Sequence, residues 1–345
     1  MSTASGVPET FHLRGDDART TLRNTGWGRL IKDSFTRFRT GDNFTNSRAL
    51  GHALVLTAFP ALIMVIGIAA AFDLPSFRSV LQTTVQRLAP GPSGRLLQEA
   101  FRQGSSSGGW AAFSSGLIGV MVSGTFAMAV VERGANRAYG MVRDRKLWKK
   151  LAVGLAMNLS AGLMLGLAFV VLAAGGALGE GLSAGAGWSD TAGTVFSVLR
   201  WPIGILLAFG ALTLVYKVSP NRRQPGGGWL LTGAIVATAL WFALTALLAW
   251  YYSVNDSLGN TYGPLVGVIA LLTWAYATGL AVFFGISFAA QFEAVRAGVP
   301  GPRTYRRFNE AVVDPRLTEE LSAPPGAGVV PLTPATPDLT ERRTA

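Results

Sequence analysis

The chain has no cysteine and only two histidines, His12 and His52, among its 345 residues. The first absence excludes disulfides, thiolate metal sites and cysteine nucleophiles. The second leaves no cluster of imidazoles from which to build a zinc or iron centre. Charge is scarce as well: Asp, Glu, Lys and Arg make up 14% of the chain, against about 25% in an ordinary soluble domain. Acids are the rarer sign, 19 against 30 Lys and Arg, for a net charge of +11 and a pI near 10.5. In a soluble protein that balance points to nucleic acid. Here the basic residues border apolar segments, where they set topology and meet anionic lipid headgroups, so membrane lipids and no nucleic acid are the expected partners. No cofactor is expected. No Walker-type phosphate cradle occurs. Gly179-Glu-Gly-Leu-Ser-Ala184 fits a dinucleotide fingerprint in letters alone, with no strand before it.

What is abundant is apolar length. Six stretches, 49–72, 110–131, 151–174, 193–216, 228–252 and 264–290, are nearly free of charge. A helix of about 20 apolar residues crosses the roughly 30 Å hydrocarbon core of a bilayer. The expected fold is therefore all-α: a polytopic membrane protein with six transmembrane helices, an amphipathic N-terminal interfacial helix and disordered tails. Lys and Arg number eight in 1–48, seven in 132–150, three in 217–227 and seven from 296 onward. They number four in 73–109 and none in 175–192 or 253–263. The positive-inside rule then puts both termini in the cytoplasm. No cleavable signal peptide is visible, and the first span is expected to act as an uncleaved anchor.

Three regions follow. Residues 1–26 are polar and read as a disordered cytoplasmic tail. Residues 27–298 form the six-helix membrane domain, and 299–345 a largely disordered tail. The membrane domain opens with Trp27, Leu30, Ile31, Phe35 and Phe38 at helical spacing, among Arg29, Lys32, Arg37 and Arg39. Such a helix lies in the interface or packs on the ends of the spans, and the Trp with basic neighbours favours the interface. The long first loop predicts two amphipathic helices, one carrying Phe77, Val80, Leu81, Val85 and Leu88, the other Leu96, Leu97, Ala100 and Phe101. Gly162-x-x-x-Gly166 and Gly263-x-x-x-Gly267 permit close helix approach.

Candidate functional residues are the polar or helix-breaking groups within the spans, since burying them is costly unless they are paired or used. His52 reads as a proton-relay or substrate group, or more simply as an interfacial imidazole bonded to a neighbouring helix. Pro60 is expected to kink the first span. Ser123 and Thr125, with Ser114 and Ser115, would suit a cavity wall or bond their own helix backbone. Asn158 reads as a ligand or as interhelical glue. Ser287, Gln291 and Glu293 close the last span, where they serve a site or merely solvate the boundary. These eight form the candidate cavity or substrate set; no catalytic, cofactor or metal residue is assigned.

Four segments resemble the YihY/BrkB family of bacterial inner-membrane proteins. They are the approach to the first span ending Thr57-Ala-Phe-Pro-Ala-Leu62; Asn136-Arg-Ala-Tyr-Gly140 with the basic run to Lys150; Tyr216-Lys-Val-Ser-Pro-Asn-Arg-Arg223; and Tyr262-Gly-Pro-Leu-Val-Gly-Val-Ile-Ala-Leu-Leu-Thr-Trp-Ala-Tyr276 with Gly285. Two positions depart from the family pattern: Gly51-His-Ala-Leu54 stands where an Ala-Tyr-Tyr stretch is common, and Gly285-Ile-Ser287 where Gly-Ala-Glu is common. The resemblance implies six spans, a location in the bacterial inner membrane with both termini cytoplasmic, and no settled activity. Some members carry an old label as a transfer-RNA-processing ribonuclease. Phosphodiester cleavage needs acid–base groups or clustered metal carboxylates, and no such constellation is legible here. The chain is expected not to be an enzyme. Its expected function is that of a transporter or flippase-like protein for a lipid or amphiphilic envelope component; the alternative is a non-transporting envelope scaffold. Nothing in the sequence reports oligomeric state.

Overall fold

Inside a bilayer the backbone has no water to bond, so each apolar stretch satisfies its own N–H and C=O groups as a helix. The computed structural model describes residues 6–9, 15–71, 108–141, 144–168, 171–172, 190–255 and 265–299. It holds six helices long and apolar enough to cross a membrane, and no strand among the described residues. Two short helices, α1 (Gly15–Thr25) and α2 (Trp27–Thr40), precede the first span, α3 (Asn43–Ala71). The others are α4 (Gly109–Ala138), α5 (Leu147–Ala168), α6 (Asp190–Val218), α7 (Gly227–Val254) and α8 (Leu265–Arg296). One π turn, Asn158–Gly162, interrupts α5. The chain is a multi-pass membrane protein. The first-loop helices, the Gly179-to-Ala184 motif and residues 300–345 lie outside the described residues.

Because the spans alternate in direction, the start of α3, the α4–α5 and α6–α7 connections and the end of α8 share one end. That end carries most of the Lys and Arg and is called the basic end below. Neighbours close into a ring: α4 beside α3, α3 beside α8, α8 beside α7, α7 beside α6, α6 beside the π turn of α5, and α5 beside α4. Small residues set the closest approaches. A Cβ on Gly67 would strike the backbone at Phe113, and one on Gly116 that at Met64 and Pro60, so α3 and α4 meet backbone to backbone. Helix α3 runs on through Pro60, whose ring lies against Gly119. Gly51 abuts Tyr276, and Gly233 abuts Gly285. The second glycine of each Gly-x-x-x-Gly pair does not work this way. Nothing lies within 4 Å of a Cβ built on Gly166 or Gly267, and Gly263 is outside the described residues.

Packing density differs between the two ends. On α7 no residue after Thr238 is buried, and on α8 none before Ala275, whereas Gly285 to Ala294 is buried without a break. The main core, including Leu50, Val131, Met157, Val215, Leu230 and Phe283, lies towards the basic end. Towards the other end Trp110, Trp201, Trp250 and Tyr251 are exposed, and at the basic end Trp27 and Trp148 are. Exposed Phe59, Leu163, Leu206 and Phe242 lie between those levels. Two aromatic levels flanking an apolar band are what a lipid-facing surface requires.

Gly15–Thr25 is helical, and Val7 is buried against the α4–α5 connection, its N–H donating to Tyr139 O at 3.1 Å. Helix α2 has two faces. Leu30, Ser34, Arg37 and Phe38 are buried, with α8 as the chief neighbour, while Trp27, Ile31 and Phe35 stay about half exposed. The apolar stripe read from the sequence is thus divided between the bundle and the outside.

Candidate functional site

Three polar residues near the end of α8 do not point into solvent. Ser287, Gln291 and Glu293 are all buried, at 0%, 1% and 0% exposure. Glu293 is the hub. Its Oε1 accepts from the Tyr139 hydroxyl at 2.7 Å, and its Oε2 accepts from Arg222 Nη2 at 2.9 Å. Both side chains of the ion pair are fully buried. The Arg222 guanidinium also sits 4.6 Å from the centroid of the Tyr139 ring, and its Nη1 donates to the Val7 carbonyl at 3.0 Å. Nearby, the Arg223 N–H donates to Glu9 Oε1 at 3.2 Å. One arginine therefore ties the N-terminal strap, the α4–α5 connection and α8 to the loop after α6. Buried ions cost several kcal/mol each unless paired and hydrogen-bonded, and here each carboxylate oxygen has its donor. Burial, reinforced by Glu293, pushes the Tyr139 phenol well above its ordinary value, so it is the protonated partner.

A second arginine enters from α2. Arg37 Nε donates to Gln291 Oε1 at 2.9 Å, and Nη1 to the Ala138 carbonyl at 3.0 Å. Burial lowers this guanidinium to about 10, which leaves it cationic at neutral pH. One turn away, Asn43 Nδ2 donates to Ser287 Oγ at 3.2 Å, and the Ser287 hydroxyl donates to Phe283 O at 2.8 Å. The serine thus fills a polar position with an internal bond and one interhelical contact.

A third arginine, Arg145, caps α6. It donates to the carbonyls of Val218, Ser219 and Pro220 at 2.8 to 3.0 Å and lies 3.2 Å from the buried Glu132. Asn136 joins the two connections, donating to Asp144 Oδ1 at 2.7 Å and accepting from the Asn221 N–H at 2.8 Å. The result is a layer of ion pairs and hydrogen bonds across the basic end. It rests on an apolar floor where Trp229, Phe288 and Phe292 are buried with Leu30. Polar joints of this kind hold while dry and separate when water competes for their partners. Among the described residues no group of three His, Cys, Asp or Glu is placed to hold a metal ion.

The sequence candidates fall into two groups. Ser287, Gln291 and Glu293 come together in this layer. The other five do not join it. His52 is exposed on α3. Pro60 belongs to the α3–α4 seam. Ser123 and Thr125 donate to the carbonyls of Gly119 and Met121 in their own helix. Asn158, at the start of the π turn, donates to Val120 O of α4 at 3.1 Å and fills the space beside Gly124 and Gly162.

A family model described as Virulence factor BrkB matches residues 34–306. The chain belongs to the BrkB family. A Bacillus subtilis (strain 168) protein, YfkH, whose name describes it as ribonuclease-like, is 24% identical over 74% of this chain and 92% of its own length. UPF0761 membrane proteins from Rhodospirillum centenum and from Stenotrophomonas maltophilia (strain K279a) are 24% and 25% identical over 87% and 84% of this chain. The chain spans 66% of the length of each of these two. No solved structure matches it significantly.

Several positions of the polar layer lie inside segments that carry the BrkB likeness: Asn136, Tyr139, Asp144, Arg145, Asn221 and Arg222. Sequence reasoning passed over them, and over Arg37, Asn43 and Glu132, because polar residues outside an apolar run read as solvated. The usable signal was spacing. Leu30, Ser34, Arg37 and Phe38 share one helical stripe, so Arg37 rides on a buried face.

Proposed function

We propose that this BrkB-family protein is a transporter or flippase-like protein for a lipid or amphiphilic envelope component, held shut at its basic end. The observation that carries the reading is the Arg222–Glu293 pair. A purely structural joint would be more stable with apolar side chains of similar volume. An ion pair with both side chains buried, linking four separate parts of the chain, is better suited to a joint that opens and recloses. The opposite half supports the same reading: apolar side chains of α6, α7 and α8 such as Leu206, Phe242, Leu247 and Val268 are not buried by neighbouring helices. That surface suits acyl chains. The basic residues are expected to face the cytoplasm of a bacterial inner membrane. There the exposed Trp27, Ile31 and Phe35, with Arg29 and Lys32 beside them, would rest on anionic headgroups.

We read the protein as non-catalytic, because Tyr139, Arg222 and Arg145, which flank its buried carboxylates, are committed to structural contacts. Purified protein in vesicles should exchange labelled phospholipid between leaflets faster than protein-free vesicles do. No acceleration, together with unchanged envelope lipids in a deletion strain, would refute the reading. The scaffold alternative would then stand.

A further inference from the structure

Charge in the spans is confined to the basic end with one exception, Arg200. Along the six membrane-crossing helices, no other Asp, Glu, Lys or Arg lies in the half away from that end. On α6, Arg200 and Lys217 are about 26 Å apart along the axis at 1.5 Å per residue. The two cations thus bracket nearly the whole hydrocarbon thickness of about 30 Å. Arg200 stands at the level of the exposed Trp201, one of the aromatic residues that mark this end. Its position on the helix is unlike that of an arginine that reaches freely for water. Arg200 shares a stripe with Gly204, Ala211 and Val215, all buried, and a Cβ on Gly204 would strike Leu172, just after α5. Leu199, Ile203 and Leu206 are exposed on the other side of α6. Arg200 Nε is sealed from solvent and has no hydrogen-bond acceptor among the described residues. Its guanidinium lies over the ring of Trp201, 5.7 Å from the centroid, and Trp201 itself is half exposed. No Asp or Glu with a described side chain lies at this end.

A guanidinium N–H buried without an acceptor is costly, and an ionised side chain within a span calls for a partner. An anion arriving from the membrane surface supplies both needs. We propose that Arg200 is a binding site for a phosphate group, presented by a phospholipid of the leaflet opposite the basic end or by a soluble phosphate. The planar guanidinium fork matches two phosphate oxygens at once. A phosphodiester bound there sits at the level of Trp201, whose indole belongs in the headgroup layer. The acyl chains of the same lipid run along Ile203 and Leu206, exposed about one and two turns deeper. A soluble phosphate gains the fork alone. A part for this site in moving lipid rests on the transport reading; phosphate binding does not.

Native mass spectrometry of the full chain released from detergent tests the site without any transport assay. The protein is titrated with phosphatidylglycerol, with a diacylglycerol of the same chains and with inorganic phosphate. The expected result is a phosphatidylglycerol adduct whose affinity falls about ten- to a hundredfold in Arg200→Gln, while diacylglycerol binds wild type and variant alike. An Arg200-dependent adduct with the lipid but not with millimolar inorganic phosphate assigns the site to a headgroup. An Arg200-dependent adduct with inorganic phosphate and not with the lipid assigns it to a soluble phosphate. If Arg200→Gln fails to fold, Arg200→Lys keeps the charge without the fork, and its binding should be severalfold weaker; unchanged binding in that variant counts against the site. Adducts of both phosphate probes that are equal in wild type and Arg200→Gln, or absent from wild type, overturn the proposal. An Arg200-dependent adduct in a protein that moves no lipid would leave the phosphate site standing and remove the transport reading alone.

Discussion

Replacing Arg222 by Met and Glu293 by Leu, singly and together, tests whether the polar layer is held by mutual charge pairing. At the observed 2.9 Å, an effective dielectric of about 20 gives an attraction of about 6 kcal/mol, part of which offsets desolvation. Removing either partner leaves the other charge buried without it, a loss of roughly 3 to 5 kcal/mol. Glu293→Leu also strips the Tyr139 hydroxyl of its acceptor, for about 1 to 3 kcal/mol more. The double variant leaves neither charge behind, so its loss should fall short of the sum of the two single losses by about 1 to 3 kcal/mol. Denaturant titration in mixed micelles, followed by tryptophan fluorescence, gives the four stabilities. Single costs below about 0.5 kcal/mol, or costs that simply add in the double variant, would show that the pair is not the clasp described.

Glycine contacts make sharper local predictions. Gly285→Ala puts a Cβ against Tyr216 Oη, Ala237 and Gly233 O and should lower stability by about 1 to 3 kcal/mol. Gly166→Ala meets nothing within 4 Å and should be neutral or slightly stabilising; thermal unfolding in detergent distinguishes them. Trp229 is fully buried, so Trp229→Ala should cost about 3 to 5 kcal/mol by the same measurement. Trp148→Ala, at an exposed site, should change stability by no more than about 0.5 kcal/mol in micelles. Burial opposes the charge of Asp144, but the Asn136 hydrogen bond and Lys150 together outweigh it and hold its carboxyl below its ordinary 3.8. The stability this supplies is complete above 3.8 and is lost as pH falls through the lower folded value. The stability gap between wild type and Asp144→Asn should therefore narrow on acidification; a gap constant from neutral pH to pH 3 would contradict the assignment.

The spans were legible because hydrophobic length is a local property, and lipid leaves the backbone no alternative to helix. The polar layer was legible only in part. Ser287, Gln291 and Glu293 stood out against an apolar helix. Their partners did not, because pairing joins positions far apart in sequence: Arg37 and Gln291 are separated by 254 residues, and Tyr139 and Glu293 by 154. Helix contacts failed to follow motif for a related reason. Gly51 and Gly279 pack closely against α8 and α3 because of where those helices cross, whereas Gly166 and Gly267 have the right spacing on open faces. The buried Glu132 was hidden by its place beside Arg133 at the edge of a basic loop, where a carboxylate reads as solvated.

The rate of leaflet exchange for a labelled phospholipid tests the central claim most directly, comparing vesicles that carry the wild-type chain with vesicles that carry the Arg222→Met/Glu293→Leu chain. The account predicts exchange above the protein-free rate for both, and faster exchange for the variant, whose clasp is gone while its helices remain. Exchange at the protein-free rate in both, from protein shown to be folded, would contradict it.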